Sequence, residues 1–271
     1  MTVHFVTNDK IAETSSKGNQ EKWFDADTNR WYKLDQFGYE ALSETVVSAL
    51  LEGSNIEKDF PFRFVRYRME KLHVHGRERN GCSSENFLNP GQEVVTLSRL
   101  FKQEYHTSLS QILGKLPSDK QRISWLAEKT VELTGLTLFP QYLTLLFEVD
   151  ALFLNEDRHL NNIAVLLENG RYDYCPVFDN GAALLSNTQI YQMEIDPRAL
   201  IKTVRARPFN TTFNRQIIAA RNQFGAQLQM PKYGRSEIND VLEPLLPYYA
   251  SRDRSIIADR VYTCIFERQK V

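Results

Sequence analysis

The sequence predicts an α+β protein of two lobes, a small β-rich N-terminal lobe and a larger, mainly helical C-terminal lobe. Three observations carry that expectation. Up to about residue 88 the apolar residues fall in short runs of strand type, separated by turn formers, with one helical stretch among them. After Gly91 the pattern changes to long segments of helical period. One short hairpin pattern, flanked by polar loops, then interrupts the helices near residues 163–177. The expected units are residues 1–88 and 89–271, joined in the stretch Asn86–Gly91, and a chain of 271 residues can bury a core while sharing a cleft between two lobes.

In chain order, Lys22–Phe24 and Arg30–Leu34 are strand-like, and Asp25–Asn29 between them has hairpin-turn chemistry. A helix is predicted from Ser43, where Val46, Val47, Leu50 and Leu51 recur at helical spacing and Gly53 fits a stop. Phe62–Tyr67 and Glu70–Val74 read as two further strands. His73 and His75 alternate and are expected on one face; two histidines can start a metal site, but with no Cys or acidic cluster beside them they read as exposed or packing residues. Leu97–Leu113, Asp119–Thr134, Pro140–Leu154, Arg215–Phe224, Glu237–Leu246 and Asp253–Phe266 read as helices. Pro140 suits a first helical turn, and the helix it opens is apolar nearly all round, so it belongs in the middle of its lobe. Strands Ile163–Leu167 and Tyr172–Val177 flank a Glu168-Asn169-Gly170 turn. Trp23, Trp31 and Trp125 are expected to pack.

The composition is that of a soluble globular protein, 42% hydrophobic and 25% charged, with a formal net charge of -1 that gives no reason to expect nucleic acid as a partner. Lys202, Arg205 and Arg207 read as a solvated basic helix end, with contact to an acidic or phosphorylated partner as the other reading. The cysteines, Cys82, Cys175 and Cys264, are dispersed and odd in number, which argues against a disulfide framework or zinc site and for reduced packing thiols. Met1–Lys10 has no signal-peptide pattern, and Tyr142–Leu154 is broken by Thr144, Glu148 and Asp150, too short and polar for a bilayer. A cytoplasmic protein away from the membrane is expected, with a secreted effector as the alternative.

The chemistry concentrates in Asn155-Glu156-Asp157-Arg158-His159-Leu160-Asn161-Asn162, which follows the buried helix, and in Val177-Phe178-Asp179-Asn180-Gly181, which follows the hairpin. Phosphoryl transfer needs few parts: a carboxylate beside the attacking hydroxyl, and hard oxygen ligands that hold Mg²⁺ on the phosphates of ATP. A loop–hairpin–loop can bring these to one point, with Asp157 as the first group, Asn162 as the amide ligand, Asp179 as the metal carboxylate, and Gly181 letting the backbone turn away. Any one of these residues alone reads as a turn or packing residue; the ordered set does not.

Those two loops resemble the catalytic and metal loops of the HipA-like serine/threonine kinases, with CtkA-type bacterial kinases a close relative and phosphatidylinositol kinases a more distant one. The resemblance implies a bilobal protein-kinase-like fold, ATP and Mg²⁺ as cofactors, Asp157 as catalytic base, and Asn162 and Asp179 as metal ligands. His159 is expected to brace the loop rather than take a proton. Ser15-Ser16-Lys17-Gly18-Asn19-Gln20-Glu21-Lys22 is similar to the family's S-x-x-G-x-Q-x-K element over the ATP phosphates, which points to Ser16, Gly18 and Gln20 there, since a glycine lets backbone N–H groups approach phosphate oxygens. In that family the first serine of the element is an autophosphorylation site; the matching residue is Ser15, with Ser16 adjacent. Lys33 is the expected ATP lysine, paired with Glu44 on the following helix, and Glu40 is the reserve. Gly81–Leu88 resembles the strand-to-hinge segment of CtkA-like kinases, with backbone groups of Glu85, Asn86 and Phe87 meeting adenine.

The expected activity is therefore transfer of the γ-phosphoryl of ATP to a serine or threonine of a protein, including the enzyme itself. A lipid or small-molecule kinase with the same core is the first rival, though the segment after Gly181 lacks a basic membrane-facing run. A nucleotide-binding pseudokinase or toxin-module scaffold is the second. Only 14 residues precede Ser15, so the additional N-terminal subdomain of HipA is expected to be absent, and an antitoxin or a separate chain supplying that subdomain is the expected partner.

Overall fold

The computed structural model describes residues 3–5 and 21–270. The N-terminal lobe is a five-stranded sheet, β1 (Val3–Phe5), β2 (Lys22–Asp25), β3 (Arg30–Leu34), β4 (Tyr67–Val74) and β5 (Arg77–Glu85), in the order β1-β4-β5-β3-β2. β1 runs parallel to β4 and the other neighbours are antiparallel. Between β3 and β4 lie helix α1 (Glu40–Leu51) and the short α2 (Ile56–Asp59). α1 is buried along almost its whole length, since it packs on β4 and β5 on one side and meets the second lobe on the other.

The second lobe opens with β6 (Glu93–Thr96), followed by α3 (Leu97–Tyr105), α4 (Leu109–Gly114), α5 (Asp119–Thr134) and α6 (Phe139–Phe153). The hairpin β7 (Ala164–Glu168) and β8 (Arg171–Tyr174) joins β6 in a three-stranded antiparallel sheet. Then come α7 (Pro197–Ile201), α8 (Phe213–Phe224), α9 (Arg235–Leu242) and α10 (Ser251–Arg268). The apolar α6 is the lobe's axis, packed against α5, α8 and α10, and twelve of its fifteen residues are buried, as an all-round hydrophobic helix requires. The main core runs from α1 through α6 to α10 and joins the lobes, while Trp23, Tyr32, Leu34, Leu72 and Val74 form a separate cluster in the N-terminal sheet. No helix among the described residues is long and apolar enough to cross a membrane.

Several elements differ from the sequence expectation, each for a local reason. Phe62–Tyr67 is not a strand: Phe64 makes only a bridge to Val177, and Arg66 is held outward by Glu52 and Glu57. The stretch read as two strands is instead the single β4. His73 and His75 do not share a strand face, because His75 and Gly76 have left-handed φ of 50° and 73° and form the two-residue turn into β5. His75 lies 2.9 Å from Glu21 through Nε2. The helix expected over Leu97–Leu113 is two, because His106 turns left-handed (φ 51°) and Ser108 caps a new start at Gln111 N. α1 begins at Glu40 rather than Ser43, the strand expected to reach Val177 ends at Tyr174, and β1, β6, α2 and α7 were too short to stand out by periodicity. All three cysteines are buried free thiols.

Candidate active site

Four segments meet between the lobes. β3 contributes Lys33, α1 contributes Glu44, the loop after α6 contributes residues 155–162, and the loop after β8 contributes residues 178–181. Lys33 faces inward from the sheet, opposite Lys22 on one neighbouring strand and Cys82 on the other. Its Nζ lies 2.5 Å from Glu44 Oε1 and 2.6 Å from Asp179 Oδ1, and 5.2 Å from the centre of the Tyr67 ring. Burial works against this ammonium, but the Asp179 and Glu44 carboxylates override it and hold Lys33 well above its ordinary pKa. Burial would likewise raise Asp179; the positive charges of Lys33 and then Lys22 hold it well below the usual carboxylate range. Lys33 and Asp179 therefore form a charged pair, while burial pushes the Glu44 carboxyl up, opposed by the Lys33 ammonium.

Glu44 uses both of its oxygens. Oε1 takes the Lys33 ammonium and Oε2 accepts the Asn180 N–H at 2.8 Å. Ser43, one residue earlier, donates its hydroxyl to the Asn180 and Ala183 carbonyls. The helix in this way grips the loop that carries Asp179. Glu40 does something different: one turn earlier it accepts the Gln36, Phe37 and Gly38 N–H groups and closes the β3–α1 loop, so Glu44 and not Glu40 is the partner of Lys33. The sharp turn of the Asp179 loop is made by Asp179 itself, at φ 63°, and Gly181 is not in the left-handed region, a correction to the role expected of that glycine.

The catalytic-loop candidates are tied to the same point. Asp157 turns its side chain toward solvent; the His159 N–H donates to its carbonyl at 2.7 Å, and His159 Nε2 lies 3.7 Å from its Oδ2. Partial enclosure raises the Asp157 carboxyl, His159 opposes that, and the Asp179 charge adds to it. A carboxylate with a raised pKa is suited to accepting a hydroxyl proton. Asn162 donates Nδ2 to the Asp157 carbonyl at 2.9 Å, and none of the described residues donates to its amide oxygen. Asp179 likewise has one carboxylate oxygen beyond the one Lys33 uses. Among the described residues no three His, Cys, Asp or Glu side chains gather as a metal cage. One carboxylate and one amide oxygen fit Mg²⁺, which takes the rest of its shell from phosphates and water.

Both loops hang from a residue that sequence reading passed over. Arg158 is fully buried, and its guanidinium lies 3.0 Å from Asp150 on α6. It also donates to the carbonyls of Asn162 (3.1 Å) and Phe178 (2.6 Å) and to Asn180 Oδ1 (2.9 Å). Asn155 adds bonds to Asp150 and to the Asp179 carbonyl. One arginine thus fixes the positions of Asp157, Asn162 and Asp179 relative to each other. The signal was present in Asp150, with Glu148 one of two acids on a mainly apolar helix, since a buried acid demands a cation. Tyr67, whose hydroxyl is 3.5 Å from the Asp179 N–H, had no such signal.

The hinge candidates Glu85, Asn86 and Phe87 differ in what they touch. Glu85 ends β5 opposite Arg30 with its side chain exposed, and the Asn86 N–H is already given to the Asn29 carbonyl at 3.0 Å, so that amide does not face a base. Phe87 packs on Phe178, their ring centres 6.2 Å apart, next to the Asp179 loop. Ser15, Ser16, Gly18 and Gln20 lie outside the described residues.

No family model matches the sequence, and no curated protein does. Among solved structures, the Helicobacter pylori proinflammatory kinase CtkA matches with a TM-score of 0.61 at 14% identity, covering 94% of this chain and 88% of that one. HipA of Shewanella oneidensis, solved with HipB and its operator DNA, matches with a TM-score of 0.48 at 13% identity, covering 95% of this chain and 65% of that one. At such identity the likeness to CtkA concerns architecture, and the chain is built on a bilobal, kinase-like fold of the CtkA kind.

Proposed function

We propose that this chain is an ATP- and Mg²⁺-dependent serine/threonine protein kinase able to phosphorylate itself. The observation that carries the reading is the buried Lys33, held between Glu44 and Asp179 and joined through the Arg158-anchored loops to Asp157 and Asn162. A fixed ammonium, a fixed amide oxygen and a carboxylate open to solvent are the parts that phosphoryl transfer requires, because most of that catalysis is positioning and charge neutralisation.

In this reading Asp157 orients the acceptor hydroxyl and takes its proton, and His159 keeps the loop in shape. Lys33, steered by Glu44, offers positive charge to the phosphates. Asn162 and Asp179 would hold Mg²⁺, which when bound supplies further neutralisation of phosphate charge. Phe87 and Phe178 give the nucleotide an apolar wall. Ser15, with Ser16 beside it, is the proposed self-acceptor. A phosphoserine there adds roughly -1.5 to -2 charges close to the nucleotide phosphates, which would repel ATP and switch the enzyme off.

The test is incubation of the whole chain with labelled ATP, Mg²⁺ and a protein mixture, with Asp157→Asn as control. Label on serine or threonine in the parent and not in the control is expected, and mass spectrometry should find phosphate on Ser15 or Ser16. Label on lipid alone, or equal labelling by the control, would overturn the reading. Full activity in Ser15→Asp would remove the regulatory part.

A further inference from the structure

We propose that Tyr191 is a positioning residue for the candidate base: through Glu156 it braces the outer side of the loop that carries Asp157. This rests on the kinase reading above and adds to it a residue that acts without touching nucleotide or acceptor.

The loop is gripped unevenly. Asn155 and Arg158 are fully buried and are held from the inner side, both by Asp150 on α6 and by the Asp179 loop. Between them stand Glu156, half-buried, and Asp157, exposed. The Asp157 N–H donates to the Asn155 side chain at 3.3 Å, and His159 Nε2 stays 3.7 Å from the Asp157 carboxylate. The side chain that has to meet a hydroxyl is therefore only loosely tied by its own contacts. Glu156 supplies the firmer tie, since its Oε2 accepts the Tyr191 hydroxyl at 2.5 Å, a short bond of the charge-assisted kind. Among the described residues that hydroxyl is the one hydrogen-bond donor to the Glu156 carboxylate. Enclosing an acid with a single neutral donor is unfavourable, and the residue so treated is the one next to the candidate base.

Tyr191 is itself firmly mounted. It is buried, and Arg260 of α10, also buried, donates to the Tyr191 carbonyl at 2.9 Å. The same guanidinium donates to Met193 Sδ and to the Leu185 carbonyl, each at 3.3 Å, and so holds residues 185–193 at both ends. The segment is tied to the first lobe as well. The Thr188 N–H and hydroxyl donate to the Phe37 carbonyl at 3.1 and 3.0 Å, and the Tyr39 hydroxyl donates to the Leu184 carbonyl at 2.7 Å. The place of the Tyr191 ring is thus set by the helix behind it and by the other lobe. Its hydroxyl gives the catalytic loop an outer reference point, as Arg158 gives it an inner one. Without that hydroxyl Glu156 loses its donor, and residues 156–157 can pivot between their two buried neighbours. The pivot moves the Asp157 carboxylate. It leaves Lys33, Glu44 and Asp179 in place, because their mutual bonds do not pass through Glu156.

The experiment uses the full chain with ATP, Mg²⁺ and dephosphorylated casein as acceptor. Tyr191→Phe keeps the ring and removes the hydroxyl. Its kcat should fall roughly 10- to 100-fold, the range felt when a reacting group is displaced by up to an ångström, with KM for ATP unchanged and Tm close to the parent's. Glu156→Gln still offers the Tyr191 hydroxyl an oxygen and should keep most of kcat, whereas Glu156→Ala should match Tyr191→Phe. The double variant Tyr191→Phe/Glu156→Ala should fall no further than Glu156→Ala, since the two residues act as one unit. Hydrogen exchange read by mass spectrometry should quicken over residues 155–162 in Tyr191→Phe and Glu156→Ala, and stay at the parent's rate over β3 and α1. Four results would each overturn the brace and leave the kinase reading standing: parent-like kcat in Tyr191→Phe, losses that multiply in the double variant, a Glu156→Gln as slow as Glu156→Ala, or a kcat loss that comes only with a raised KM for ATP and a lowered Tm. A parent that transfers no phosphate sinks the kinase reading, and exchange then decides the brace alone. Faster exchange over residues 155–162 in the two variants supports it, and unchanged exchange overturns it.

Discussion

Replacing Arg158 with Met tests how the site is assembled. The guanidinium is fully buried, pairs with Asp150, and donates to two backbone carbonyls and one side-chain oxygen. Methionine fills much of the volume but leaves the Asp150 carboxylate buried without a cation. Breaking a buried pair from one side costs about 3–5 kcal/mol, which in a chain of this size lowers Tm by roughly 10 °C. The pair alone is not the whole effect, so Asp150→Asn is added to it. In the double variant the buried charge is gone, and about half of the lost stability should return. Activity should not return with it, because the Asn162 and Phe178 carbonyls still lack the donor that held the two loops together; transfer should stay down about 100-fold or more, the scale at which misplacing a reacting group by an ångström is felt. Urea melts and labelled-ATP assays on the parent, both single variants and the double give the cycle. A cost below about 1 kcal/mol for Arg158→Met, or activity that recovers together with stability in the double variant, would refute the view that this arginine positions the catalytic groups.

Three other outcomes follow from the same geometry. Lys33→Met should cut transfer by orders of magnitude, since a positioned charge beside developing phosphate charge contributes a few kcal/mol, and Glu44→Ala should give a milder loss; parity of both with the parent would move the lysine role elsewhere. Asp179→Ala should abolish Mg²⁺-dependent turnover while keeping the fold, at a backbone cost of about 1 kcal/mol for a non-glycine residue at left-handed φ, and near-normal turnover would remove Asp179 from the metal site. Asp35 is half-buried beside Tyr249, Glu40 and Arg79, and desolvation pushes its carboxyl up to about 7, only partly countered by the Ala41 N–H and the Tyr249 hydroxyl. A raised acid stabilises the fold at low pH and loses that contribution as pH rises through its folded value, so stability should decline between about pH 4 and pH 7 by on the order of 4 kcal/mol from this group. Asp35→Asn should flatten that slope and melt higher than the parent at pH 8; parallel melting profiles for the two would show that Asp35 does not titrate in this way.

Much of this was legible in the residue order because the relevant pieces are local. The apolar α6, the hairpin after it, and the polar loops at either end each declare themselves within a dozen residues, and together they fix where Asp157 and Asp179 must lie. Lys33 and Glu44 were readable for the same reason, a strand followed directly by a helix. What stayed hidden depends on contacts across long separations or on small conformational choices. β5 has few β-branched or aromatic residues, so RERNGCSSE does not look like the centre of a sheet; it is one because β3 and β4 cover both of its edges. The break at His106 comes from a single left-handed residue, which helical periodicity on either side conceals. Arg158 sits in plain view between Asp157 and His159, but its importance lies in carbonyls up to twenty residues away.

The two-handed grip of Glu44 also bears on how the proposed kinase could be regulated. One carboxylate reads two coordinates at once: Oε1 reports where the sheet lysine is, and Oε2 reports where the Asp179 loop is. It behaves as a coincidence detector, satisfied only when α1 is seated against both. Drawing the helix outward by the length of one hydrogen bond would release the lysine and the loop amide together. Anything that displaces α1 would therefore bear on the sheet lysine and the Asp179 loop through the same side chain.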